Sequence, residues 1–374
     1  MKKPELLAPA GSFEKAKTAF MYGADAVYCG TSSLSLRSRA EVDDDDLAKT
    51  IEYAHSIGKR VHAAINIYAW DNTYDEIRKQ ARMLNKLKVD AIIAADGGVI
   101  DVIKEEAPDI PIHVSTQANT VSYHTANFWY KNGAKRVILG RELNKEQIKD
   151  IIKNKEKDLE VEIFIHGAIC FGYSGRCFLS DFLANRSANL GDCAQSCLVK
   201  EIPEIVDMGV DSVKIEGRLK TEYYLASVVN AYRNAIDDYC KNPDGYDYTK
   251  YLKELEKTKT RGLTTFYFND RNNKDFQDYE GKQYNAHYEF GGKVTEYNED
   301  KTLIEIRNKL SIGDTMEILI PNQIDVVTFT IDKLWDAETD EEIETVNPGK
   351  AGQSVKMHLP IKAEKGWILR RKKN

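Results

Sequence analysis

Through the first 240 residues, short apolar runs alternate with longer stretches in which apolar residues recur every three to four positions. Eight runs have strand character: Glu5–Ala8, Ala26–Cys29, Arg60–Ile65, Ala91–Ala95, Ile110–Val114, Arg136–Leu139, Val161–Ile165 and Ser212–Ile215. Helical spacing fills the gaps. Ser12 is placed as an N-cap before Glu14 and Lys15. Tyr74–Leu87 repeats Ile77, Ala81, Leu84 and Leu87, and the stretch from Thr221 repeats Leu225, Val228, Val229, Tyr232 and Ile236. YGADAVYCG, LKVDAIIAAD, MGVDSVKIEG and NGAKRVILG each join a helix end to a strand. Where a glycine ends the helix it supplies the left-handed cap. Eight repeated strand–helix units predict a (βα)8 TIM-type barrel. A doubly wound open sheet is the other reading, but the first turn, Pro9-Ala10-Gly11-Ser12, is not the G-x-G-x-x-G of such a fold.

The pattern changes after Cys240. KNPDGYDY is a turn-rich break, Leu252–Lys259 is a charged helical piece, and an aromatic, Asn/Asp-rich stretch follows. From Tyr284 the period becomes two, with a turn at Asn298-Glu299-Asp300. The expected organisation is a barrel over 1–240, a connecting segment over 241–283 and a small C-terminal antiparallel β-barrel over 284–374. Hydrophobic residues make up 42% of the 374 and charged residues 30%, which excludes a disordered or collagen-like chain. No apolar run approaches the roughly 20 residues of a membrane span. MKKPELLAPAGSF lacks the apolar core of a secretion signal, so the expected location is cytoplasmic. A net charge of −6 argues against coating nucleic acid by bulk charge and leaves room for a local basic patch.

Four of the six cysteines, Cys170, Cys177, Cys193 and Cys197, share one polar, Gly-rich loop with spacing C-x6-C-x15-C-x3-C. That loop follows the seventh strand, on the face where barrels keep their active sites. Four thiolates suit zinc or an iron–sulfur cluster, and the scarcity of close C-x2–4-C pairs favours [4Fe–4S]. The plain alternative is four buried or unpaired thiols. Cys29 and Cys240 read as structural, with Cys240 a substitute ligand if the loop folds back. Polar residues also gather at the expected strand ends: His113, Ser115, Thr116, Gln117 and Asn119; Arg141 and Glu142; His166; Glu216, Arg218 and Lys220. Gln117, Arg141, Arg218 and Lys220 are the substrate-binding candidates. Arg218 is suited to grip a carboxylate or phosphate through its planar fork. Glu216 and Arg218 are catalytic candidates, with a rim ion pair as the structural alternative. His166 is a candidate general base, or else a residue that orients the cysteine loop. His113 reads as a core-edge histidine. A peptidase needs a nucleophile with a base or a metal with an open position, and neither H-E-x-x-H nor G-x-S-x-G occurs.

ELLAPAGS, GADAVYCG, IHVSTQANT, HGAICFGYSGRCFLS, NLGDCAQSC and DSVKIEGRLKTEYYLASVVNAYR resemble the peptidase U32, or collagenase-like protease, family. The likeness covers residues 4–240, and the C-terminal strands resemble the family's small barrel. Some members are described as peptidases; others resemble RNA and ubiquinone hydroxylation proteins, including a prephenate-dependent tRNA uridine hydroxylase. The resemblance implies a [4Fe–4S] cluster on Cys170, Cys177, Cys193 and Cys197. It implies oxygen-independent hydroxylation of an RNA base, with prephenate as oxygen donor and tRNA as substrate. The alternatives are a collagenase-like peptidase acting on proteins and a non-catalytic RNA-binding accessory. In one place the chain departs from the family: CAQSC runs straight into LVKEIPEIVD, where members carry a longer stretch and a further cysteine. Cys197 therefore reads either as the second cysteine of CAQ-x-C or as that later one.

Overall fold

The eight parallel strands expected from the periodicity form a closed ring in a computed structural model. The residues it describes are 2–31, 34, 41–168, 195–258, 263–264, 268–269, 287–349 and 352–373. Strands and helices alternate as β1 (Glu5–Pro9), α1 (Phe13–Met21), β2 (Ala26–Thr31), α2 (Asp44–Ser56), β3 (Arg60–Ile65), α3 (Tyr74–Leu87), β4 (Ala91–Ala94) and α4 (Gly97–Glu106). They continue as β5 (Ile112–Val114), α5 (Tyr123–Lys131), β6 (Ala134–Ile138), α6 (Lys145–Asn154), β7 (Glu160–Ala168), α7 (Ile202–Asp207), β8 (Ser212–Ile215) and α8 (Glu222–Lys241). Each strand pairs in parallel with the next, and β8 closes the ring by pairing with both β7 and β1.

The local chemistry explains the boundaries. Ser12 caps α1 by accepting from the Lys15 N–H, and Thr221 caps α8 by accepting from Tyr224. β5 starts two residues later than expected. Ile110 N–H is spent in a turn on Ala107, and Pro111 has no N–H to give a ladder. β6 begins at Ala134, directly after Gly133 turns the chain at φ 98°. β7 runs on to Ala168 because a short antiparallel strand, Gln195–Cys197, pairs with His166–Ala168. The helical piece expected at Leu252–Lys259 lies at Thr249–Glu256.

The C-terminal part is an antiparallel sheet of eight strands with its own apolar core, including Val294, Ile304, Met316, Ile318 and Leu369. The expected turn is present, with Asn298 Oδ1 accepting from the N–H groups of Asp300 and Lys301. This sheet rests against α1 and α8. Buried Tyr22 of α1 donates to Leu319 O at 2.9 Å and accepts from Ile368 N at 3.0 Å. Asn230 of α8 donates to Ile320 O and Gln323 O. Arg370 is fully buried between Glu317 and Glu254, the latter on the Thr249–Glu256 helix. Among the described residues no helix is long and apolar enough to cross a membrane.

Candidate active site

The inside of this barrel is charged at its base. Alternate residues of a strand in the ring point inwards, and here several of them are polar. Arg136 of β6 donates to Glu5 Oε1 (2.6 Å), Glu162 Oε2 (2.9 Å) and Glu160 Oε2 (2.8 Å). Ser212 lies within 3.1 Å of both Glu5 and Glu162. Above this layer Lys214 pairs with Glu162 Oε1 at 3.2 Å and stands 4.1 Å from the Tyr28 ring centroid. Burial raises the Glu162 carboxyl, but Lys214 and Arg136 outweigh it and hold it below the usual carboxylate range. His113 is in this interior, edge-on to His62 with ring centroids 4.8 Å apart, rather than on the core's edge.

The strand ends above carry the expected residues. Glu216 is buried and accepts the Tyr28 hydroxyl at 2.9 Å, while its backbone carbonyl accepts the Tyr224 hydroxyl at 2.8 Å. Arg218 is buried beside it, and its carbonyl accepts from Lys15 at 3.4 Å. Lys220 stands 5.6 Å from the Tyr224 ring centroid. Arg141 stands over Phe164, its Cζ 3.8 Å from the ring centroid. Gln117 is buried on the turn after β5, which Ser115 caps. Glu216, Arg218 and Lys220 thus sit over β8, Arg141 beside them over β6, and Gln117 further round the ring over β5.

His166 and Cys197 come together across the β7 pairing, their backbones in register. Buried Tyr232, reaching in from α8, ties them. Its hydroxyl lies 3.3 Å from His166 Nδ1, donates to Ile165 O at 2.9 Å, accepts from Leu198 N at 3.1 Å and stands 3.6 Å from Cys197 Sγ. Gly167 makes this packing attainable. At φ 108° it faces Glu216, and a Cβ there would stand 2.6 Å from the Glu216 carbonyl oxygen. His166 is fully buried, and burial with the Lys220 charge lowers its pKa to about 3. Burial raises the Cys197 thiol. Among the described residues no histidine is hydrogen-bonded to a serine or cysteine, so none forms a nucleophile–base pair.

Cys170, Cys177 and Cys193 lie outside the described residues, as does Ser174. Among the described residues no group of three or more His, Cys, Asp or Glu side chains is placed to hold a metal. Cys197 is placed as a ligand could be: it is buried beside the end of β7, with the Tyr232 hydroxyl oxygen 3.6 Å from its sulfur. Cys29 is fully buried in the core, its thiol pushed up to about 12 by burial despite Arg218. Cys240 lies eight residues beyond Tyr232 on α8, about 12 Å down the helix. Tyr28, Lys214 and Tyr224 carried no functional signal in the sequence, and Tyr232 stood out there only as one of the apolar repeats of its helix.

Set beside known proteins, the sequence matches the model of peptidase family U32 over residues 11–199 and 196–278. It matches that of the family's C-terminal domain over 286–370. The two matched stretches overlap at 196–199. It is 36% identical to the tRNA hydroxylation protein P1 of Bacillus subtilis, covering 91% of this chain and 89% of that one. With the tRNA hydroxylation protein P of Escherichia coli the identity is 31%, covering 99% and 96%. An uncharacterized protease of Methanocaldococcus jannaschii is 38% identical, covering 84% and 86%.

Proposed function

The chain belongs to peptidase family U32, and we propose that it is a cytoplasmic enzyme that hydroxylates a base of tRNA. The observation that carries this reading is the near full-length similarity to two proteins named for tRNA hydroxylation. The peptidase alternative draws no support from the histidines among the described residues, none of which is hydrogen-bonded to a serine or cysteine. Oxygen-independent hydroxylation replaces a ring C–H by C–OH, a two-electron oxidation of the base. An organic donor such as prephenate balances it by surrendering one oxygen and taking up those two electrons.

The proposed ligand set for a [4Fe–4S] cluster is Cys170, Cys177, Cys193 and Cys197, and the cluster would supply one-electron chemistry next to the barrel mouth. Tyr232 holds Cys197 in place, its hydroxyl near the sulfur and its ring packed on His166. His166, neutral and inaccessible, is assigned to orienting this corner rather than to carrying a proton between solvent and substrate. Arg218 is assigned to a carboxylate of the donor, with Lys220 nearby. Glu216, set by Tyr28 and a neighbour of Arg218 in the chain, is assigned to positioning that guanidinium. Arg141 and Gln117 are assigned to the RNA.

The test is direct. Protein purified without oxygen is incubated with prephenate and tRNA lacking the modification, and digested nucleosides are weighed by mass spectrometry. The expected result is one pyrimidine nucleoside heavier by a single oxygen, absent when prephenate is left out. Unmodified tRNA from iron-loaded protein, or gelatin cleavage that survives iron removal, would sink the proposal. Cys197→Ser, Cys170→Ser, Cys177→Ser and Cys193→Ser are each expected to lose iron, and Cys29→Ser and Cys240→Ser to retain it.

A further inference from the structure

Across the mouth from Cys197, the ends of β3, β4 and β5 enclose a cavity of about 210 Å³ that none of the assignments above uses, apart from Gln117. Its walls include Asn66, Tyr68, Trp70, Asp96 and Gln117. Two aromatic side chains stand out of the surface here, Trp70 with 71% and Tyr68 with 41% of its area exposed. An indole so exposed forfeits burial that a core position would provide. Its backbone is nonetheless fixed. The Trp70 carbonyl accepts from both the N–H (2.8 Å) and the hydroxyl (2.7 Å) of Thr73, so the ring projects from a pinned turn.

The polar walls say what the rings would face. Asn66 Oδ1 is buried and has no hydrogen-bond partner among the described residues, and Gln117 presents a second side-chain amide to the same space. Asp96 is the charged wall residue, already engaged by Gly98 N, Val99 N and the Tyr74 hydroxyl. Among the described residues its walls hold a carboxylate and no cation, which disfavours an anion there. It is smaller than the roughly 300–1,000 Å³ of a whole-ligand pocket, so it suits one neutral ring with a hydrogen-bonding edge. Amide groups read such an edge with both donor and acceptor, and an aromatic pair stacks on its face.

We propose that Tyr68, Trp70, Asn66 and Gln117 form a subsite for an unpaired RNA base flanking the nucleotide that reacts. The inference rests on the reading of the protein as an RNA-modifying enzyme. Its place follows from the ring: β3 and β4, which carry the two aromatic residues, Asn66 and Asp96, lie opposite β7 and β8, so a base stacked here is not the one beside Cys197 but a neighbour on the same strand. The subsite makes the enzyme select single-stranded substrate, since a base within a duplex cannot reach it.

Binding of a ten-nucleotide oligouridylate and of an abasic strand of the same length separates base from backbone. The oligouridylate is expected to quench the exposed Trp70 fluorescence, and Trp70→Phe to remove that quench while keeping affinity within about threefold. Tyr68→Ala with Trp70→Ala is expected to weaken oligouridylate binding about tenfold or more, in line with stacking on one base. The same double variant should raise KM for tRNA and leave its iron content at the wild-type level. Equal affinity for the abasic strand, or wild-type affinity in the double variant, would overturn the subsite. If wild type and double variant hydroxylate tRNA alike, the subsite falls and the proposed function stands. If wild type modifies no RNA while the double variant loses oligouridylate binding, the reverse holds.

Discussion

Lowering the pH from 7.5 to 5.5 should loosen the barrel through two histidines at its centre. His62 and His113 are 1% and 4% exposed and meet edge to face. Burial first, and then the Arg136 charge, hold both well below the usual imidazole value of 6.5. The folded chain therefore keeps both rings neutral at pH 5.5, while the unfolded chain protonates them near 6.5. Below that value only the unfolded state takes up protons, so stability is full above pH 6.5 and declines as pH falls. One ring costs about 1.4 kcal/mol by pH 5.5, and the pair about 3 kcal/mol. Glu162 shifts with the same sign, but its contribution is lost only as pH falls below the ordinary carboxylate range, outside this window. His166 titrates in the same sense, so the comparison must be a difference. Guanidinium unfolding of wild type and His113→Gln, both without oxygen, supplies it. The variant starts less stable and should lose about 1.4 kcal/mol less between pH 7.5 and 5.5. Equal losses in the two proteins would refute the buried-neutral assignment.

Two further substitutions probe the frame of the site. Gly167→Ala puts a Cβ against the Glu216 carbonyl at a φ that side chains avoid, and should cost about 2 kcal/mol or more and reduce activity; a wild-type thermal midpoint would contradict it. Arg370→Leu strands the Glu254 and Glu317 carboxylates between barrel and sheet and should destabilise by about 3–5 kcal/mol, partly recovered when both become Gln, as read by denaturant titration.

The ring of strands was legible because each is a short run followed by a helix, most of them with a side-chain N-cap; β3 and β8 fall where the periodicity put them. β7 overran its expected end because its partner, Gln195–Cys197, is too short to leave a periodic signal. The polar interior was legible too, in a pattern not sought. In a strand buried on both faces, Ser212 and Lys214 alternating with Val213 and Ile215, or Glu162 with Val161 and Ile163, mean that the inner face is charged. Tyr232 gave no such sign, since a tyrosine in the apolar run of α8 reads as core. Its importance comes from contacts with Ile165, His166 and Cys197, far away in the chain. The candidates at the strand ends were found by position, because a barrel exposes that end of every strand to its ligands. Trp70 and Tyr68 escaped because they follow the strand end by several residues.

The central claim is that this chain puts an oxygen onto an RNA base. Nucleoside mass spectrometry of total tRNA and rRNA, from cells with the gene deleted and from the same cells carrying it again, tests that most directly. One hydroxylated pyrimidine of tRNA should disappear on deletion, return with the wild-type gene and stay absent with Cys197→Ser. An unchanged set of hydroxylated nucleosides after deletion would contradict it.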